Sequence, residues 1–142
     1  MDGVATPLGK RRAQHVVELV LRAERVPRAL VSVAFLTKRE IARLNRRHLG
    51  VGGATDVISF GFRRRSPRAP VVADVYVGTG VARENAAAAG ITVREELTRL
   101  VVHGTLHALG YDHPNGRGRE QSAMWRRQEQ LVRRAMRTVN GR

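Results

Sequence analysis

Three of the chain's five histidines fall within eleven residues, in the run His103-Gly-Thr-Leu-His107-Ala-Leu-Gly110-Tyr-Asp-His113. On a helix, four residues turn by about 400°, so the imidazoles of His103 and His107 would leave one face, one turn apart. Two nitrogens placed that way can both reach one Zn²⁺ at about 2.0–2.1 Å. Gly110 can take a left-handed cap conformation and end the helix. The chain could then double back and present His113 as a third ligand. Three histidines leave one position of a four-coordinate ion open, as a catalytic site requires. Zinc suits imidazole, although Ni, Co, Cu and Fe also bind three nitrogens. A lone H-x-x-x-H pair is a weak signal. The glycine-punctuated triple, in a chain with so few histidines, is a strong one. With no Cys in the chain, a thiolate zinc finger, an iron–sulfur cluster, a disulfide scaffold and a cysteine nucleophile are all excluded.

The ligand spacing is that of the metzincin motif H-E-x-x-H-x-x-G-x-x-H. The position of the peptidase's general-base Glu is Gly104 here, so the cage is present without that base. Zinc held by three neutral histidines lowers the pKa of bound water to about 7 and can polarise a phosphoryl oxygen. Either role suits phosphodiester hydrolysis, in which arginines can hold the non-bridging oxygens. Asp56 and Asp112 are the candidate carboxylates for orienting the water. Each has a plainer role open to it. Asp112 lies in a Tyr-Asp-His turn, where it can bond backbone amides or orient a ligand. Asp56 stands at a strand start, where Asp is a poor strand former. Asp74, inside an apolar strand, must hydrogen-bond or face a cleft.

The charge balance is 26 Lys+Arg against 12 Asp+Glu, a formal +14. Only Lys10 and Lys38 are lysines. Such a chain is expected to meet polyanions, although a skew to Arg also follows from a GC-rich genome. Residues 115–142 carry Arg at 117, 119, 126, 127, 133, 134, 137 and 142 against Glu120 and Glu129. Beside a metal motif, that run reads as a phosphate-tracking surface. With six aromatics in the whole chain, there is little capacity for base stacking. Trp125 and Tyr111 read as core or cleft-wall residues.

The elements that must position these residues are mixed. A helix is expected over 12–25, ended by Pro27. A strand follows over 30–36. The Thr37–Glu40 capping box opens a short helix that runs to Gly50. Asn45 reads as a surface residue near its end. Strands over 56–60 and 71–77 are joined by the basic loop Arg63–Arg68 and suggest an antiparallel pair. A helix over 79–89 stops at Gly90. Thr92–Glu95 opens the helix that carries the histidines and ends at Gly110. A last helix covers 119–137. The fold class is α+β: a small mixed sheet of three to four strands with about five helices, and the metal site at the end of a central helix. Residues 1–142 suit a single domain. The N-terminal segment has no signal-peptide h-region, and no apolar run approaches a membrane span. The expected protein is soluble and cytoplasmic.

The run HGTLHALGYDH closely resembles the signature H-G-x-L-H-L-x-G-Y-D-H of the YbeY-type rRNA maturation endoribonucleases, with Ala108 in place of the second Leu. The family's T-D-V-L-S-F segment is matched by Thr55-Asp-Val-Ile-Ser-Phe60, with Leu44-Asn45 before it. Its G-D-I is matched by Ala73-Asp74-Val75, and its C-terminal Met and Glu by Met124 and Glu129. The resemblance spans about residues 30–132. It implies a single-strand-specific, metal-dependent endoribonuclease. The activity would serve 16S rRNA maturation and ribosome quality control. The partners would be an rRNA precursor and the small ribosomal subunit, with no preference for DNA. One position departs: where many members carry an aromatic–Arg pair, this chain has His48 and Leu49. Arg46 and Arg47, at the helix end, are the candidates to reach the phosphate instead. Two other readings share these residues: a zinc peptidase-like hydrolase, and a non-catalytic RNA- or ribosome-binding module whose metal only staples a loop.

Overall fold

The computed structural model describes residues 8–50, 52–62, 66–111 and 122–140. Among them the chain forms α1 (Lys10–Ala23), β1 (Ala29–Leu36), α2 (Lys38–Leu49), β2 (Val57–Phe62), β3 (Val71–Gly78), α3 (Thr79–Ala89), α4 (Val93–Ala108) and α5 (Ala123–Asn140). The sheet order is β1-β3-β2, with β1 parallel and β2 antiparallel to the central β3. The expected α+β class and the antiparallel pair are both present, with three strands and five helices among the described residues.

Alternation along β3 decides which face is core. Val71, Ala73, Val75 and Val77 are buried, while Val72, Asp74 and Tyr76 face the other side, only partly covered. On the buried face, Val75 and Val77 meet α4 through Leu97, Val101 and Leu106, with α1 and α5 packed behind. Gly104 lets α4 come this close. A Cβ at that position would sit 2.5 Å from Val75 Cγ1 and 3.3 Å from Val57 Cγ2. Ser59 adds a polar tie, its hydroxyl donating to the Gly104 carbonyl at 2.7 Å. On the opposite face, His48 of α2 stands edge-on to Phe60, and Phe60 edge-on to Tyr76. Asp74, costly in a strand if unpaired, accepts from the Ser32 hydroxyl at 2.6 Å.

Local signals set most boundaries. Thr37 and Glu40 form the reciprocal capping box, and Thr92 accepts from the Glu95 N–H. Where boundaries differ, the causes are visible. α1 runs two residues earlier than expected, because Arg25 takes φ +58° and turns the chain before Pro27 is reached. β2 starts one residue later, at Val57; the Asp56 carbonyl still accepts from Gly78 N–H at 2.8 Å. The described part of α5 starts at Ala123, where the Ser122 hydroxyl caps the Trp125 N–H at 3.1 Å. It continues past 137 to Asn140, no Gly or Pro intervening; residues 119–121 lie outside the described residues. Asn45 is a correction to the sequence reading. It is buried, not a surface residue, and its amide donates to the Gly53 carbonyl at 3.1 Å, clamping the glycine loop onto α2.

Candidate functional site

The end of α4 shows how the histidines are presented. Gly110, with φ +107°, turns the chain out of the helix. Its N–H bonds the His107 carbonyl at 3.0 Å, and the Tyr111 N–H reaches back to the Leu106 carbonyl at 3.1 Å. This pair of bonds is a Schellman cap. It brings the Tyr111 carbonyl within 2.8 Å of His107 Nδ1. A carbonyl can only accept, so Nδ1 carries the proton. In the neutral ring the lone pair then lies on Nε2.

His103, one turn earlier, has the same polarity by a different route. Its Nδ1 lies 2.7 Å from Gln128 Oε1 on α5. The Gln128 amide nitrogen donates to Glu129 Oε2 at 3.0 Å. Glu129 in turn accepts from Arg99 Nε at 2.8 Å and Nη2 at 2.9 Å, a two-pronged pair from α4. Burial, the largest single effect, pushes the Glu129 carboxyl up, but the hydrogen bonds from Arg99 and Gln128 and the charges of Arg99 and Arg133 together outweigh it, and the net shift is downward. The Arg99 guanidinium is held charged more firmly than usual, mainly by Glu129. The two imidazoles stand side by side, ring centres 6.2 Å apart and tilted by 41°.

Tyr111 is anchored as well. Its hydroxyl donates to Glu24 Oε1 at 2.8 Å, and Arg127 Nε bonds Glu24 Oε2 at 2.5 Å. Its phenol is raised above the usual range, chiefly by that bond to Glu24. Tyr111 also packs against the core, and Trp125 is half-buried. Neither is an open stacking platform. Arg127, read from the sequence as part of a phosphate-tracking run, is committed inward here, while Arg126, Arg133, Arg134 and Arg137 are exposed.

The remaining candidates fall elsewhere. Asp56 accepts from the Asn85 amide at 3.2 Å, and the same amide approaches Glu96 Oε2 at 3.4 Å. Glu96 lies seven residues before His103, about 10 Å along the helix axis. Burial raises its carboxyl, and the facing Asp56 adds to the rise. Arg46 and Arg47 are exposed on the last turn of α2, whose His48 packs on the sheet face opposite α4. The structure therefore brings His103 and His107 together and places Asp56 in a separate polar cluster with Asn85 and Glu96. His113 and Asp112 lie outside the described residues. Among the described residues, no group of three His, Asp or Glu is placed to hold a metal, and no helix is long and apolar enough to cross a membrane. Gln128 was missed in the sequence. Its signal was a polar residue interrupting the apolar stripe of Met124, Leu131, Val132 and Ala135.

Known proteins resemble the chain over most of its length. A family model described as Endoribonuclease YbeY matches residues 4–136. An endoribonuclease YbeY of Syntrophus aciditrophicus is 33% identical over 125 residues, covering 86% of this chain and 76% of the relative. One from Pelotomaculum thermopropionicum is 35% identical over 137 residues, covering 93% and 86%. The solution structure of TM1509 from Thermotoga maritima superposes with a TM-score of 0.65 at 24% identity, covering 96% of this chain and 89% of the other; it shares the fold.

Proposed function

The chain belongs to the YbeY endoribonuclease family, and from that premise we propose a metal-dependent endoribonuclease of rRNA precursors. It would work in the cytoplasm, at the small ribosomal subunit, in 16S rRNA maturation and ribosome quality control. His103 and His107 would hold the ion through Nε2, with His113 as third ligand. Zinc is the metal this donor set suits best. The observation that carries the reading is that both Nδ1–H groups are given to oxygen acceptors, at 2.7 and 2.8 Å. Metal-ligating histidines are commonly oriented in this way. When bound, the ion supplies Lewis acidity for phosphodiester hydrolysis near neutral pH.

The chain's own groups supply the rest. Gly61, near the end of β2, lies against the Ala108 carbonyl at the end of α4. Phe62, the last described residue before the basic segment 63–68, therefore lies near the histidine end. Arginines there and on α5 would hold the RNA backbone, and exposed Arg46 and Arg47 are candidates for the phosphate. Asp112 would act next to the ligands, whereas Asp56 supports α3 and α4 through Asn85.

A peptidase reading is disfavoured by the packing of Gly104. That position points into Val75 and Val57, so a general-base side chain has no room there. Purified protein loaded with zinc is expected to cleave single-stranded RNA, to lose cleavage on chelation, and to leave casein intact. His103→Ala and His107→Ala should abolish cleavage with the far-UV circular dichroism retained. Full RNA cleavage by both variants would overturn the metal-catalysis reading. Salt-dependent RNA binding without cleavage under any metal would favour the binding module.

A further inference from the structure

We propose that Gln128 is a positioning residue that sets the tautomer of His103, with Glu129 and Arg99 fixing which way the Gln128 amide points. This rests on the metal reading above. A glutamine amide can offer an imidazole either its oxygen or its nitrogen. The two choices leave opposite ring nitrogens with the lone pair. Here the choice is forced. The ionised Glu129 can only accept, and it takes the Gln128 Nε2–H at 3.0 Å. Oε1 is therefore the atom left facing His103 Nδ1. Glu129 is itself held by the Arg99 fork. Neighbouring residues on a helix diverge by about 100°, so a Gln128–Glu129 bond needs both side chains to curl toward α4. The Arg99 fork supplies the reason for that curl.

Burial supports the same conclusion. Gln128 is 2% exposed, on a stripe where Met124, Leu131 and Val132 are fully buried. An apolar side chain would pack there without an amide to satisfy. His107 needs no such side chain, because the Tyr111 carbonyl imposes the same tautomer from the backbone. One ligand is set by a cap and the other by a relay across to α5.

Two measurements test this. The first is nitrogen-15 NMR of the metal-free wild-type protein, which reads the His103 tautomer directly. The proton is expected on Nδ1; a proton on Nε2 would overturn the proposal. The second is Zn²⁺ affinity by competition with a chromophoric chelator, with the Co²⁺ visible spectrum alongside. Gln128→Leu should weaken binding by about 10–100-fold and alter the Co²⁺ bands. The exchange Gln128→Glu with Glu129→Gln keeps an oxygen acceptor toward His103 and a donor–acceptor pair between 128 and 129, and should bind within a few-fold of wild type. Wild-type affinity in Gln128→Leu, or an equal loss in both variants, would refute the acceptor role. If the wild-type protein binds no metal at all, the metal reading fails, while the NMR result still decides whether the relay sets the tautomer.

Discussion

Gly104→Ala tests the packing that presents the histidines. The added methyl would meet Val75 Cγ1 at 2.5 Å and Val57 Cγ2 at 3.3 Å. Ordinary carbon contacts lie at about 3.5–4.0 Å, so roughly 1 Å must be found. Val75 cannot give it easily. It is fully buried, β-branched and stiff at χ1, and it sits on the central strand with a partner on each side. Overpacking of this kind costs about 1–3 kcal/mol, and the strand position argues for the upper end. Replacing Gly by Ala in a helix returns about 1 kcal/mol. The net is a destabilisation of about 2 kcal/mol. At roughly 2–4 °C per kcal/mol for a chain near this size, Tm should fall by about 4–8 °C in a calorimetric melt. Val75→Ala alone leaves a cavity, but combined with Gly104→Ala it restores room. The double variant should therefore show a favourable coupling of at least about 1 kcal/mol. A Gly104→Ala protein that melts at or above the wild-type temperature would refute the close approach. It would also reopen position 104 to a catalytic side chain.

Two further predictions concern stability, beside the cleavage and metal-affinity tests above. Glu96 is raised by burial. Its contribution to stability is therefore full below the ordinary carboxylate pKa and is lost as pH rises through the raised value. Glu96→Gln is expected to melt at or above wild type at pH 7.5, with the advantage gone near pH 4. A large loss at pH 7.5 would mean that the Arg99 contact, 3.5 Å away, dominates instead. Thr37→Ala removes the α2 cap and should cost about 1 kcal/mol in urea unfolding, whereas Thr37→Ser should restore most of it.

Whatever local spacing encodes was legible in the sequence. A spacing of four from His103 to His107, and of three more to Gly110, translates directly into one helix face and a Schellman cap. The apolar run 71–77 gave the strand itself, while which side of β3 is core shows only in the burial of Val71, Ala73, Val75 and Val77. Contacts between distant segments were not legible. Arg127 looked like one more cation on a solvated helix, yet its partner is Glu24, 103 residues away in sequence. Gln128 gave only the sign of a polar residue on an apolar stripe, with nothing to say that His103 lay opposite. Gly104 could be read as a missing base, but not as the residue on which α4 meets Val75. Asn45 looked like a surface residue because its partner, the Gly53 carbonyl, belongs to a loop with no periodic pattern. The same gap changes how the +14 is understood. Arg99 and Arg127 are matched by Glu129 and Glu24, so net charge is blind to them. The pairing nonetheless takes Arg127 out of the expected phosphate-tracking run and, with Arg99, commits it to carboxylates beside the histidine end of the fold. Among the exposed cations are Arg126, Arg133, Arg134 and Arg137 on α5 and the proposed phosphate contacts Arg46 and Arg47 on α2. Their charge acts through solvent and is screened over about 10 Å at 0.1 M salt. RNA affinity should therefore fall steeply with ionic strength, while the partly buried Arg99–Glu129–Gln128 relay proposed to orient His103 should be less affected.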